Sequence, residues 1–331
     1  MKIKLLQWIG LPLFLIAVIL INLKIGAYPI SASTFLQWLE WRIFGGERPN
    51  DTIISIIENI RAPRIFAAIL IGGAFSCAGA AYQSIFRNPL VSPDILAVSS
   101  GAAFGACLAI VASLSLFAIQ VGAFLGGIGA VAIVLLIARL VPRRDVTLVL
   151  VLAGIVVGGL FGAGVSLLKI IGDPYEKLPI ITFWLLGSLS RVELDNILLL
   201  APFFIIGITI LIAMRFRIDV MTLGEEEAKT IGINTGQIRL TTILCATFLT
   251  SIAVSIAGII GWVGLVVPHI SRMIVGPSFG RVGPTSAIIG AIFLLFVDSC
   301  ARSLAATEIP LGILTAIIGA PIFIWLLIKG K

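Results

Sequence analysis

Residues 196–213 read NILLLAPFFIIGITILIA, residues 215–239 read RFRIDVMTLGEEEAKTIGINTGQIR, and residues 240–257 read LTTILCATFLTSIAVSIA. The two outer stretches are apolar and close to the ~20 residues that cross the hydrocarbon core of a bilayer. The middle stretch is charged and carries its own helix and turn signals. Thr222 or Gly224 can cap a helix, Glu225, Glu226 and Glu227 favour its first turn, and Gly232 ends it. Two membrane crossings enclosing a polar cassette predict a polytopic helical membrane protein.

Working outward from there, apolar stretches recur along the chain, at 8–25, 65–85, 95–112, 116–138, 148–168, 196–213, 240–257, 259–275, 285–303 and 311–328. The composition agrees: of 331 residues 59% are hydrophobic and 12% charged, against about 25% charged in soluble domains. The expected architecture is all-α, a single transmembrane domain over 1–331 with ten crossings. The seventh and eighth spans adjoin in one apolar run, 240–268. Gly258, Gly261, Gly264 and Pro268 mark where its helix breaks, with irregular backbone tolerated there only if buried or lining a cavity.

Charge sets the expected orientation. Lys2 and Lys4 at one terminus and Lys329 and Lys331 at the other place both termini in the cytoplasm, which requires an even number of spans. Arg87, Arg139, Arg143, Arg144, Arg215 and Arg217 then fall on the same side. The formal net charge of +7 thus reads as topology. The basic residues are dispersed among short loops rather than gathered on one face, which argues against nucleic acid. In this scheme 26–64 is external and carries a short amphipathic helix over 35–42, either lying at the interface or packed as an ordinary loop helix.

Glycines recur at four-residue spacing, Gly101 and Gly105, Gly122 and Gly126, and Gly154, Gly158 and Gly162. Such spacing lets helix backbones approach closely, for internal packing or for a subunit interface or pore wall. Pro93–Ala97 and Pro310–Ala316 are weakly similar pieces that would enter from opposite sides, in the manner of an inverted repeat.

Catalysis finds little support. The four cysteines, Cys77, Cys107, Cys245 and Cys300, lie singly in apolar spans, and His269 is the lone histidine, so neither a disulfide framework nor a metal site is expected. His269 reads as a structural or coupling residue, and Asp298 and Arg302 as a local ion pair four residues apart. Few ionisable groups fall mid-span, whereas ion-coupled carriers place them there. No glycine-rich loop ends in Gly-Lys-Ser or Gly-Lys-Thr, so ATP hydrolysis, if it drives this chain, belongs to another polypeptide.

At this point six pieces of sequence, in order, resemble one family. They are Arg61-Ala-Pro-Arg64; Arg87-Asn-Pro-Leu90 with Pro93-Asp-Ile-Leu96; Trp184-Leu-Leu-Gly-Ser-Leu189; the cassette ending in Ala228 to Gly232; Gly264-Leu-Val-Val-Pro-His269; and Pro310-Leu-Gly312 with Gly319-Ala-Pro321. The chain is similar to the FecCD-type permeases of ABC importers for iron chelates, haem and cobalamin, some members of which carry molybdate. The resemblance implies a type II importer permease fold of ten helices and a multi-pass protein of the bacterial inner membrane. It also implies a second permease subunit (a homodimer), two cytoplasmic ATPase subunits holding ATP and magnesium, and a periplasmic substrate-binding protein. No cofactor is expected in this chain.

By motif position, Arg61, Arg64 and Arg302 would meet acidic residues of the binding protein, although Arg61 and Arg64 also read as anchors for the start of a helix. Asn88 and Leu90 would form the cytoplasmic gate, with Thr147 and Leu148 opposite; Leu148 departs from the small polar residue of the family pattern. Glu225, Glu226, Glu227, Ala228 and Gly232 would couple to the ATPase. The substrate expectation is a metal chelate, with molybdate or tungstate second. A secondary transporter and an anchor or assembly subunit without its own pathway are the competing classes.

Overall fold

A computed structural model describes residues 6–26, 28–141 and 145–329. Lys2, Lys4, Arg143, Arg144 and Lys331, on which the expected orientation leans, lie outside the described residues. The elements in order are α1 (Gln7–Lys24), α2 (Ala32–Phe44), α3 (Asp51–Ile85), α4 (Val98–Val111), α5 (Leu116–Leu140), α6 (Val146–Ile171), α7 (Lys177–Leu186), α8 (Leu194–Ala213), α9 (Arg215–Met221), α10 (Glu225–Thr230), α11 (Thr235–Ala257), α12 (Val263–Val275), α13 (Phe279–Ser303) and α14 (Leu311–Lys329). Among the described residues eight helices are long and apolar enough to cross a membrane, and α4 and α12 are shorter apolar helices. Those eight and two fall on the ten expected spans.

Two elements depart from expectation. The third helix begins at Asp51, not near residue 65, because polar Asp51, Glu58, Asn59 and Arg61 mask a helix that hydropathy alone does not register. It passes through a π-helical stretch, Ile56–Arg61, immediately before Pro63. The wider i to i+5 register suits a residue that can donate no backbone N–H. The short apolar helix α7 was not expected as an element at all.

The 26–64 segment is therefore mostly helix. Within it α2 covers the expected 35–42 helix and folds back on the start of α3. Ile30, Phe35, Ile53 and Ile57 make a small separate core, and Trp38 Nε1 donates to Glu58 at 3.2 Å. The same helix leaves Leu36, Ile43 and Phe44 exposed, so it is both packed and apolar on its outer side.

Burial divides the bundle. The apolar window of α3 is 83% buried and that of α11 67%, whereas the windows of α1, α5, α6, α8 and α14 are no more than 33% buried. Thus α3 is the central post and the poorly buried helices form the periphery, where lipid or another subunit must cover them. Small residues allow the close contacts around that post: Gly72 of α3 faces the Gly290 carbonyl of α13, and Gly79 faces that of Gly264 in α12. The expected glycine spacing works the same way between α4 and α5, where Gly101 meets Gly126 and Gly105 meets Gly122. On α6 the outcome splits. Gly154 is closed by the Ile95 carbonyl, while Gly159 and Gly162 face open space.

The long apolar run breaks at Gly258 and Gly261, whereas Gly264 and Pro268, also expected at the break, fall inside the next helix. Helix α11 stops at Ala257, residues 258–262 are irregular, and α12 starts at Val263. Gly258 (φ +71°) is closed by the Trp184 carbonyl and the Gly187 backbone, Gly187 (φ +73°) by the Ile259 and Ala257 carbonyls, and Gly312 lies against the Leu186 and Ile259 carbonyls. The Ser188 N–H donates to the Ala257 carbonyl at 2.8 Å and the Leu311 N–H to the Gly187 carbonyl at 2.9 Å. Two of the quoted motifs therefore meet the break in the apolar run at one backbone junction, and two of its glycines hold a conformation that L side chains rarely adopt.

Candidate functional site: two ends of one bundle

At one end of α3 the three expected arginines converge. Arg64 makes two parallel bonds to Glu308, Nη1 to Oε2 and Nη2 to Oε1, each at 2.8 Å. Its Nη2 also reaches Asp298 Oδ1 at 2.6 Å and its Nε the same oxygen at 3.2 Å. The other Asp298 oxygen accepts from Arg302 Nε at 2.9 Å, which is the ion pair expected from the four-residue spacing. Arg302 spends its remaining donors on the Ile25 carbonyl (3.1 Å) and Asn22 Oδ1 (3.3 Å). Arg61 sends Nη1 to the Leu23 and Lys24 carbonyls and Nη2 to that of Tyr28, closing the C-terminal end of α1.

Arg302, which the resemblance would bring to acidic residues of a partner, has a side chain only 8% exposed, and its partner Asp298 is fully buried. Arg61 and Arg64 are likewise 3% and 6% exposed, so both act as anchors in this state. All three nevertheless line one open depression of about 280 Å³ together with Glu308, Tyr28 and Ala305. Glu308 also walls a second cavity of about 350 Å³, bordered by Trp184, Ser188, Ser190 and Asn196. Burial raises the Glu308 carboxyl, but its bonds and charge pairing with Arg64, with help from Ser188 and Arg302, outweigh this and hold it below the usual carboxylate range.

At the far end of α3, the C-terminal turn carries Arg87 and Asn88. The Asn88 Oδ1 accepts from the Leu90 N–H at 2.9 Å, a side-chain turn that projects Leu90 into the open, 51% exposed. Thr147 and Leu148 lie in the first turn of α6, where Asp145 Oδ1 accepts from their N–H groups at 2.8 and 3.4 Å. Leu148 is equally exposed, at 51%. Asp145 and Arg87 both lie within electrostatic reach of Arg239. The two expected gate segments and the cassette thus share one end of the bundle.

The cassette folds as α9, α10 and the first turns of α11. Gly224 (φ +139°) precedes α10 and Gly232 (φ +82°) follows it, as the sequence signals predict. Glu225 pairs with Arg239 and Glu226 with Lys229. Ala228 is fully buried, packed with Val220, Met221 and Ile238 in a small core of the cassette's own. It supports the helix from beneath, while Leu223 and Ile231 stand 61% and 56% exposed beside the glutamates.

Two functional candidates escaped the sequence reading. One is Glu308, the only acidic residue after Asp298; a lone loop acid near unpartnered arginines was the available signal. The other is Asp219, whose carboxylate accepts from Ser278 Oγ at 2.8 Å and from the Phe279 and Gly280 N–H groups. It thereby caps α13 from another element. His269 has its Nδ1 buried and unpartnered, and among the described residues no three metal-ligating side chains cluster.

The geometry agrees with known proteins. The model of the FecCD transport family matches residues 14–329. The molybdate import system permease protein MolB of Haemophilus influenzae is 40% identical over 97% of this chain and 95% of its own. The hemin transport system permease protein HmuU of Yersinia pestis is 35% identical over 95% of this chain and 94% of its own. A solved structure described as an inward-facing ABC transporter of metal-chelate type superposes with a TM-score of 0.87 at 38% identity, covering 97% of this chain and 98% of that one.

Proposed function

This chain belongs to the FecCD transport family and has the type II importer permease fold, and from that premise we propose that it is the membrane conduit of an ATP-driven importer of a metal chelate. A second copy of the chain covers the poorly buried helices. Two separate ATPase chains, which hold ATP and magnesium, seat on the cassette end in the cytoplasm, and a substrate-binding protein seats on the arginine end outside a bacterial inner membrane. Both termini are cytoplasmic in this arrangement.

The observation that carries the reading is the construction of α10. A six-residue helix, held from below by buried Ala228 and closed by two positive-φ glycines, offers glutamates and exposed Leu223 and Ile231 to something outside the chain. An apolar rim beside acidic groups suits a protein partner. At the other end, a partner carboxylate entering the depression finds Arg61, Arg64 and Arg302 at its wall. Complementary charge there favours encounter and register.

The substrate class rests on relatives and on the neutral wall of α6. From Val146 to Leu168 that helix carries no charged side chain. Such a surface gives weak, broad contacts and leaves selection to the binding protein. A molybdate or tungstate oxyanion is the second reading, favoured by the 40% identical molybdate permease. Calorimetry of the partner binding protein against ferric siderophores, haem, cobalamin and molybdate tests both. Tight binding of a chelate is expected, and tight binding of molybdate alone overturns the first reading in favour of the second.

A further inference from the structure

Helix α13 has no cap of its own. Ser278 stands at the capping position, yet its hydroxyl oxygen accepts no bond from the first turn. The open N–H groups of Phe279 and Gly280 are taken instead by Asp219 of α9, which also accepts from the Ser278 hydroxyl. A carboxylate is favoured there by the positive end of the helix dipole as well as by the bonds. Residues on either side of Asp219 are buried, Ile218 fully and Val220 nearly so. Val220 and Met221 then pack directly on Ala228 of α10.

The far end of the same helix carries Asp298 and Arg302. With 25 residues, α13 is about 37 Å long. It lies along the central post with Gly290 against Gly72 and Ser76, which holds the middle of the helix closely on α3, and Pro284 sits inside the helix between that contact and the N-terminus. The helix is continuous from Phe279 to Ser303 across Pro284, so a displacement at its N-terminus has a helical path, rather than a path through loops, to the Asp298–Arg64–Glu308 cluster.

We propose that Asp219 is the positioning residue that joins the cassette to α13, so that movement of α10 is delivered to the arginine depression at the opposite face. This rests on the coupling role assigned above to α10. It adds a named joint, a named helix and a named destination. The bonds of Asp219 are made within the chain, so their loss should separate ATP turnover from transport without removing either partner.

The test uses the complete transporter, with its ATPase and binding protein, in proteoliposomes. Asp219→Ala should still co-purify with the ATPase and support its turnover in the absence of binding protein. Transport, and the stimulation of ATP turnover by loaded binding protein, should fall about tenfold. A merely structural cap is separated from a joint by the double variant Asp219→Ala with Ser278→Asp, which caps α13 locally but severs it from α9. Recovery of thermal stability without recovery of transport supports the joint. Recovery of transport in the double variant, or wild-type transport by Asp219→Ala alone, overturns it while leaving the coupling role of α10 intact. If the unmodified chain does not hold the ATPase at all, the coupling role fails and the joint falls with it.

Discussion

Arg64 and Asp298, 234 positions apart in sequence, share a buried ion pair at 2.6 Å that fastens the entry of the central helix to the exit of α13. Asp298 has no exposed surface and serves two arginines, one on each oxygen. Such a group is costly to desolvate and is tolerated only because each of its oxygens has a charged partner in place.

Removing Asp298 should therefore be far worse than removing a surface acid. Asp298→Ala leaves Arg302 without its carboxylate partner and Arg64 with Glu308 alone, and the expected loss is about 3–5 kcal/mol, read as a lower Tm or as failure to accumulate in the membrane. Replacing Arg64 and Asp298 together by Met and Leu should cost less than either single change. A double variant that melts lower than both singles would refute this account of the pair.

Glu308 gives the same end a pH dependence. Its folded pKa is depressed, so the stability it contributes is fully present above the unfolded value of about 4.3 and is lost as pH falls through the folded value. The purified protein should lose Tm on acidification in that window. Glu308→Gln should start lower at neutral pH by about 1.5–3 kcal/mol, as expected for a lost bond to a charged group, and show a shallower acid decline. An unchanged acid limb in the variant would move the titration to another group.

What was legible in the sequence and what was not follows from range. Ten spans, the break at Gly258 and the two glycines around α10 are written in local hydropathy and in residues with special φ, and each was readable. The extension of α3 to Asp51 was hidden because its polar first turns are stabilised by α2 folding back on them, a contact no local pattern encodes. The arginine motif was visible as three residues, but their commitment to Glu308, Asp298 and the carbonyls of α1 depends on pairs up to 280 positions apart. Asp219 looked like part of a solvated cassette because its partner N–H groups belong to a helix 60 residues later.

The glycines divide into two populations with opposite responses. A methyl group at Gly105 would strike the Gly122 carbonyl, whereas one at Gly159 meets nothing within 4 Å. Gly105→Ala should destabilise by about 1–3 kcal/mol through forced separation of α4 and α5. Gly159→Ala should leave the subunit stable or raise its Tm slightly, since alanine favours helix by about 1 kcal/mol over glycine. Thermal melting of both variants decides this. A Gly159→Ala penalty equal to that of Gly105→Ala would mean that another subunit presses on that face of α6.

The coupling role of α10 can be attacked from its exposed side, where folding is least at risk. Ala228 is sealed in the cassette's own core and Gly232 holds φ +82°. Bulky residues at both positions should abolish transport, but by distorting the helix itself. Ile231→Glu is the cleaner change, because Ile231 is 56% exposed and a solvated glutamate there costs the isolated subunit little. Placed against a partner ATPase it adds an uncompensated charge at an apolar contact, so affinity should drop by about 2–3 kcal/mol while Tm of the subunit alone is unchanged. Co-purification of the ATPase and binding-protein-stimulated ATP turnover are the measurements. Full retention of both in Ile231→Glu would place the docking surface away from α10.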